Sequence, residues 1–314
     1  MPLSALTRFP QIVQFETSTE CNANCLFCGG RHTDRPRGAM DWRLIEHILD
    51  GATGAQSVIP FLLGEPFVEP RLLDILRAIR ERVPSAYSVL YSNMAACTRR
   101  LATTIIEEGL LDQICISFYA PTPDLYRRWQ PPLDYEEVRK KIMELVMERD
   151  ARGARWPQIY MHYLMIDELA PHFDAFRAQW ESIVDRVEPV AYDDWHGTQP
   201  DRGLRFYARG LPRTPCYRLW QSLNIVWDGR AVACCIDHRA EAVIGDLRRN
   251  TVEGIWHGRP LARLRRLHRE RRFDEIAPCR SCQIWEWSNP EWWVRFWLEA
   301  VYGEPYRPPA GAGR

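Results

Sequence analysis

Up to about Trp195, apolar and polar positions follow two rhythms. Short apolar runs read as strands: Ile12 to Thr19, Ser57 to Leu63, Tyr87 to Tyr91, Ile114 to Ser117, Gln158 to Ile166 and Val187 to Tyr192. Between them lie helical patterns. Trp42 to Gly51 sets Leu44, Ile45, Ile48 and Leu49 on one face, and Pro70 to Val83 does so with Leu72, Leu73, Ile75, Leu76 and Ile79. Thr98 to Leu111, Tyr135 to Arg152 and Leu169 to Val184 complete the series. Strands that alternate with helices imply parallel pairing and right-handed crossovers, hence an α/β fold. A doubly wound sheet and a partial barrel both fit this alternation.

The rhythm changes after Trp195. Pro200 to Pro215 is rich in Gly, Arg and Pro and reads as a linker. Leu223 to Trp227 and Arg230 to Cys234 flank Asp228-Gly229, which predicts a hairpin with a type I′ turn. A basic helix from Thr251 to Arg272 leads to Cys279-Arg-Ser-Cys282. Eight of the thirteen tryptophans lie at or after Trp220, so this smaller unit should build its core on aromatics and close with a Trp-rich helix.

The most telling chemistry sits at the end of the first strand, in Cys21-Asn-Ala-Asn-Cys25-Leu-Phe27-Cys28. Three thiolates at this spacing can cap three irons of a 4Fe–4S cube and leave the fourth without a protein ligand. With Phe27 before the last cysteine and Gly29-Gly30 after it, the run resembles the radical S-adenosylmethionine (radical SAM) superfamily. The resemblance implies an open (β/α)6 partial TIM-like barrel. In that family the open iron chelates the methionine moiety of S-adenosyl-L-methionine (SAM). One electron then cleaves SAM to a 5′-deoxyadenosyl radical that abstracts a substrate hydrogen.

Later strand ends agree in order with the family's SAM-contacting motifs. Gly64-Glu65-Pro66 matches the stretch whose backbone binds the SAM ammonium. Its glycine is expected to let SAM approach closely, and Glu65 to act mainly through its main chain. Ser92-Asn93 matches the family's Thr/Ser-Asn step, and Ser117 stands where the family places a ribose-contacting serine. Phe118-Tyr119-Ala120 follows, where an acidic residue is commoner in the family.

Cys216, Cys234, Cys279 and Cys282 suggest a second metal centre, because two cysteines flanking a hairpin plus a C-x2-C can close four thiolates around it. The layout is similar to the SPASM/Twitch extension with one auxiliary 4Fe–4S cluster; a structural zinc is the alternative. The expected division is a barrel over 1–205 and the cluster-binding unit over 206–314. Cys235 beside Cys234 is read as a non-ligand, buried or facing the active site. Cys97 and Cys115 read as small core residues.

Formal net charge is zero, which gives no electrostatic case for a nucleic-acid or membrane partner. No apolar run approaches a membrane span, and the first residues lack a signal-peptide pattern. Ten cysteines outside a secretory context point to metal or redox chemistry, and a cytoplasmic location is expected. Lys140 and Lys141 are the only lysines, so no Walker motif exists. With only a short stretch before the first strand, no added peptide-recognition domain is expected. The resemblance then implies a small sugar- or aminocyclitol-like substrate, with a flavodoxin- or ferredoxin-type electron donor. The sixth-strand exit, with Asp193, Asp194 and His196, is the expected place for substrate contacts and proton transfer, with a polar interdomain turn as the alternative. Glu16, His162 and Tyr163 are further pocket candidates. Dehydrogenation with the auxiliary cluster as electron acceptor is the leading reaction. Epimerisation with Cys235 as hydrogen donor, peptide modification and a zinc-stapled interaction protein are the alternatives.

Overall fold

The computed structural model describes residues 6–199, 213–282 and 284–286. Most of the linker, the expected boundary at 205/206 and the Trp-rich C-terminal helix lie outside these residues. Six parallel strands stand side by side in chain order: β1 (Ile12–Phe15), β2 (Ser57–Ile59), β3 (Tyr87–Ser92), β4 (Gln113–Ser117), β5 (Gln158–Met165) and β6 (Arg186–Ala191). Sequential parallel order with helical crossovers is the open partial barrel. Beyond β1 the sheet continues through β7 (Ser222–Ile225), parallel to β1, and then β8 (Arg230–Val232) and β9 (Val243–Asp246), both antiparallel. Val13 lies opposite Val58 on one side and Leu223 on the other, so both parts of the chain share one sheet.

One face of the sheet carries Val13, Phe15, Val58, Leu90, Ile114, Ile116, Ile159 and Met161 into the main core. Over it pack α1 (Trp42–Gly51), α2 (Leu72–Arg82), α3 (Arg99–Glu107), α4 (Pro123–Trp129), α5 (Tyr135–Ala151) and α6 (Phe173–Trp180). Asp41, Thr98 and Asp134 cap α1, α3 and α5 by accepting backbone N–H bonds. β1 and β2 end earlier than the apolar runs predict, because Glu16 to Thr19 and Phe61 to Leu63 leave the ladder to build strand-end loops. The short α4 escaped the periodicity. The predicted helix at 169–184 begins as a 3-10 turn at Ala170–His172, where Pro171 lies in the first turn.

In the C-terminal part the predicted long basic helix is two, α7 (Val252–Trp256) and α8 (Arg259–Arg269). Gly258 is the N-cap of α8, and Pro260, which lacks an N–H, cannot continue α7. A short α9 (Ala277–Arg280) carries Cys279. The hairpin turn is not type I′: Gly229 has φ +90° while Asp228 has no positive φ, and Gly229 N–H donates to Val226 O. A lone left-handed glycine closing a tight turn gives a glycine bulge. Arg265 of the basic helix is buried, donating to Leu219 O and Trp256 O at 2.8 Å, with its guanidinium over the Trp256 ring. Among the described residues no helix is long and apolar enough to cross a membrane.

Candidate active site

The loop after β1 brings Cys21, Cys25 and Cys28 onto the wall of one cavity of about 380 Å³, which Gly64, Arg31, Arg35 and Arg37 also line. Sulfur of Cys21 accepts from Ala23 N–H and sulfur of Cys28 from Gly30 N–H, each at 3.4 Å. Burial raises all three thiols, Cys21 to about 11, so thiolates here require a cationic partner. Three thiols, N–H groups aimed at sulfur and nearby arginines fit a cluster bound through three cysteines. Among the described residues no three His, Cys, Asp or Glu groups converge on a single ion, so the shared cavity wall defines the site. The loop is held from outside by the chain around α4. Asn24 N–H donates to Pro131 O, Leu26 N–H donates to Trp129 O, and the Phe27 ring meets Tyr119 edge-on at 5.0 Å.

Gly64 has φ +87°, and a Cβ there would stand 2.5 Å from Ser18 O and 2.8 Å from Glu20 O. The glycine therefore admits the backbone of the cysteine loop, a reason different from the expected close approach of SAM. Gly64→Ala should cost about 1–2 kcal/mol from the left-handed backbone alone, with the carbonyl clash in addition. A lowered denaturation midpoint together with weaker SAM binding would show both effects.

The Glu65 side chain does more than sequence reasoning expected. Its carboxylate accepts from Ser92 Oγ at 2.6 Å, Asn93 N–H at 2.8 Å and Phe67 N–H at 3.1 Å, while burial lifts its pKa to about 7. Asn93 Nδ2 donates in turn to Asn22 Oδ1 inside the cysteine loop. Glu65, Ser92 and Asn93 thus lock the ends of β2 and β3 to the end of β1. Pro66 is buried and opens a 3-10 turn. Ser117 Oγ accepts from the Tyr119 hydroxyl at 2.9 Å, so its own segment already engages this serine.

After β6 the chain makes three consecutive left-handed residues, Trp195, His196 and Gly197, with φ of 50°, 62° and 77°. Such a run of L-residues is costly and persists only where surroundings fix it. Here Asp193 accepts from Trp195 N–H at 2.7 Å, Trp195 Nε1 donates to Phe27 O at 2.7 Å, and Ser281 Oγ donates to His196 O at 2.7 Å. The Trp195 ring lies against Gly29, where any Cβ would clash with it at 2.4 Å. The turn thereby ties the cysteine loop to the Cys279–Cys282 segment. Burial raises the Asp193 carboxyl to about 7 and lowers the His196 imidazole to about 4. Asp194 is buried beside them.

Cys216, Cys234, Cys279 and Cys282 line one narrow cavity of about 30 Å³, together with His196, His268 and Arg213. The void is small, and the four thiols themselves form its wall. Burial raises Cys279 and lifts Cys282 to about 12. Cys235 is not in this wall. It packs against the cluster of Leu62, Val226, Val232 and Ala240, and its sulfur accepts from Arg218 Nη1 at 2.7 Å. The Cys234 thiol and the Arg218 guanidinium hold Cys235 down at about 6 despite burial. The charge of Cys235 is felt by Asp193 and by Tyr91 on β3.

The other pocket candidates separate. Glu16 does not face a pocket: it is buried in a two-pronged ion pair with Arg35, at 2.8 and 2.9 Å. Tyr163 lies in the main core, its hydroxyl bonded to Leu169 O. His162, on the opposite sheet face, meets Glu188 of β6 at 3.4 Å and Tyr91 edge-on. Glu188 escaped sequence reasoning; only its place opposite His162 on the neighbouring strand signals it. Cys97 lies in the main core, and Cys115 packs with Ile59 and Val89 on the inner face.

Comparison with known proteins places this geometry. The radical SAM superfamily model matches residues 15–167, and the iron–sulfur cluster-binding domain SPASM matches 216–283. Over 70 residues the chain is 33% identical to a tungsten-containing aldehyde ferredoxin oxidoreductase cofactor-modifying protein of Pyrococcus furiosus, a match covering 21% of this chain and 20% of that protein. The fold is similar to BtrN in complex with AdoMet and 2-DOIA, with TM-score 0.60 and 15% identity over 87% of this chain and 92% of that one. It is also similar to anSMEcpe with bound AdoMet, with TM-score 0.63 and 11% identity over 94% and 99%. For SuiB of Streptococcus suis bound to precursor peptide SuiA the TM-score is 0.64, with 14% identity over 82% and 66%. The first domain brings SAM and a 4Fe–4S cluster, and the second brings auxiliary iron–sulfur. The chain belongs to the radical SAM superfamily, with a SPASM domain C-terminal to its core.

Proposed function

We propose that this radical SAM enzyme dehydrogenates a small hydroxylated substrate of the sugar or aminocyclitol class. When bound, SAM and the core cluster supply a 5′-deoxyadenosyl radical that takes a hydrogen atom from a carbinol carbon. The resulting carbinol radical loses its hydroxyl proton and one electron to become a ketone. Cys21, Cys25 and Cys28 hold the core cluster, Phe27 and the ends of β2, β3 and β4 shape the SAM site, and Cys216, Cys234, Cys279 and Cys282 hold the electron-accepting cluster. Asp193 takes the proton: burial keeps its carboxyl near 7, suited to accepting a proton at neutral pH. Asp194 and His196 complete the wall. An external flavodoxin- or ferredoxin-type donor supplies the electron that starts each turnover.

The observation that carries this reading is that Asp193 lies within electrostatic reach of Cys235 and Arg218, while Arg218 itself lines the four-cysteine cavity. A proton acceptor thus stands beside an electron acceptor. The Arg218 bond to Cys235 favours oxidation over epimerisation, since a sulfur that accepts from a guanidinium is poorly set to give up a hydrogen atom. Incubation of the reduced enzyme with SAM and a panel of aminocyclitols and hexoses in deuterated water separates the two. A ketone lighter by two hydrogens, formed one per SAM consumed, is expected. An inverted stereocentre carrying a solvent deuteron would establish the epimerase instead.

A further inference from the structure

His268 lies near the C-terminus of α8 on the face that also buries Leu261, Leu264 and Leu267, and its ring is 1% exposed. Its Nδ1 accepts from the backbone N–H of Cys216 at 3.2 Å. A ring nitrogen that accepts carries no proton, so the imidazole is the tautomer with its proton on Nε2. That Nε2 is buried and has no hydrogen-bond partner among the described residues. Phe273 packs edge-on against the ring at 5.1 Å and fixes its plane. The same ring forms part of the wall that Cys216, Cys234, Cys279 and Cys282 make. A buried N–H is almost always satisfied, and the group brought here by the SPASM domain is rich in sulfur acceptors.

We propose that His268 donates a hydrogen bond from Nε2 to a sulfur of the auxiliary cluster and thereby raises the reduction potential of that cluster. The proposal rests on the reading that the four cysteines hold the cluster. Added electron density on the sulfurs strengthens an N–H···S bond, so the reduced state gains more than the oxidised one. A raised potential is what an acceptor of a substrate electron needs. The bond to the Cys216 main chain makes His268 a positioning residue as well, joining α8 to the first of the four cysteines.

Two variants divide these contacts. In His268→Asn the amide oxygen can replace Nδ1 toward Cys216, but nothing reaches the position of Nε2. In His268→Gln the amide nitrogen can replace Nε2. The test is a redox titration followed by electron paramagnetic resonance on the anaerobically reconstituted full chain, with the auxiliary signal told from the core signal by its insensitivity to SAM. His268→Asn should favour the oxidised cluster about tenfold, a fall of about 59 mV for a one-electron couple, while His268→Gln stays near the wild type. An unmoved potential in His268→Asn at full iron content would overturn the donor role. Pulsed resonance with 15N-histidine labelling reads the bond directly. A histidine nitrogen coupled to the reduced auxiliary cluster is expected in wild type and should be lost in His268→Asn, where His196 still lines the wall. Its absence from wild type or its persistence in His268→Asn would overturn the proposal too. Wild type binding about four irons with no SAM-insensitive signal would instead remove the four-cysteine reading itself.

Discussion

Replacing Cys21, Cys25 and Cys28 together with alanine is expected to abolish 5′-deoxyadenosine formation. The three thiols line one cavity and none has a substitute nearby: the next cysteines in the chain, Cys97 and Cys115, are buried elsewhere. The four SPASM cysteines are untouched, so iron should fall from about eight to about four per chain rather than to zero. Iron analysis and chromatography of the reduced reaction mixture test both halves at once. Continued reductive cleavage of SAM by the triple variant would show that the core cluster is held some other way.

The second large effect is expected at Arg35. Its guanidinium makes both prongs of the Glu16 pair and donates through Nε to His238 O at 2.7 Å. Glu16 also accepts from Trp227 N–H at 3.0 Å, so one buried pair joins the end of β1, the chain after the cysteine loop and the SPASM hairpin. Arg35→Ala leaves the carboxylate without its counter-charge in a site where Glu16 is fully buried. Breaking such a pair on one side costs about 3–5 kcal/mol. Urea unfolding of the variant should show that loss, and Arg35→Lys should recover only part, because an ammonium cannot reproduce the fork. Removing both charges, as Glu16→Leu with Arg35→Met, should recover most of it. Equal stability of Arg35→Ala and wild type would mean that water reaches Glu16.

Much of this architecture could be read from periodicity. The first helix runs from Trp42 to Gly51 as its apolar stripe predicts, since the capping Asp41 and the spacing of Ile45, Ile48 and Leu49 agree. What escaped has identifiable causes. The seven-residue α4 is too short to show a period, yet it steadies the cysteine loop. β9 is four residues with a glycine, too weak a pattern to announce a strand. Glu16 looked like a pocket carboxylate because spacing along a strand cannot reveal a partner nineteen residues away. The motif order at the strand ends was legible, but the bonds that the Glu65 carboxylate accepts from Ser92 and Asn93 join separate strand ends, and no local pattern announces them.

The parallel pairing of β7 with β1 has a consequence for expression. The strand that leads into the first cysteine triplet has a neighbour on each side, and one of them comes from the SPASM segment. A fragment ending before β7 would present the backbone donors and acceptors of β1 as a bare sheet edge, the kind of surface that recruits other chains. It would also strip Glu16 of its Trp227 contact and Arg35 of its His238 contact. Isolated core fragments should therefore aggregate and assemble their cluster poorly, while permutations that keep β1 between β2 and β7 should stay tractable.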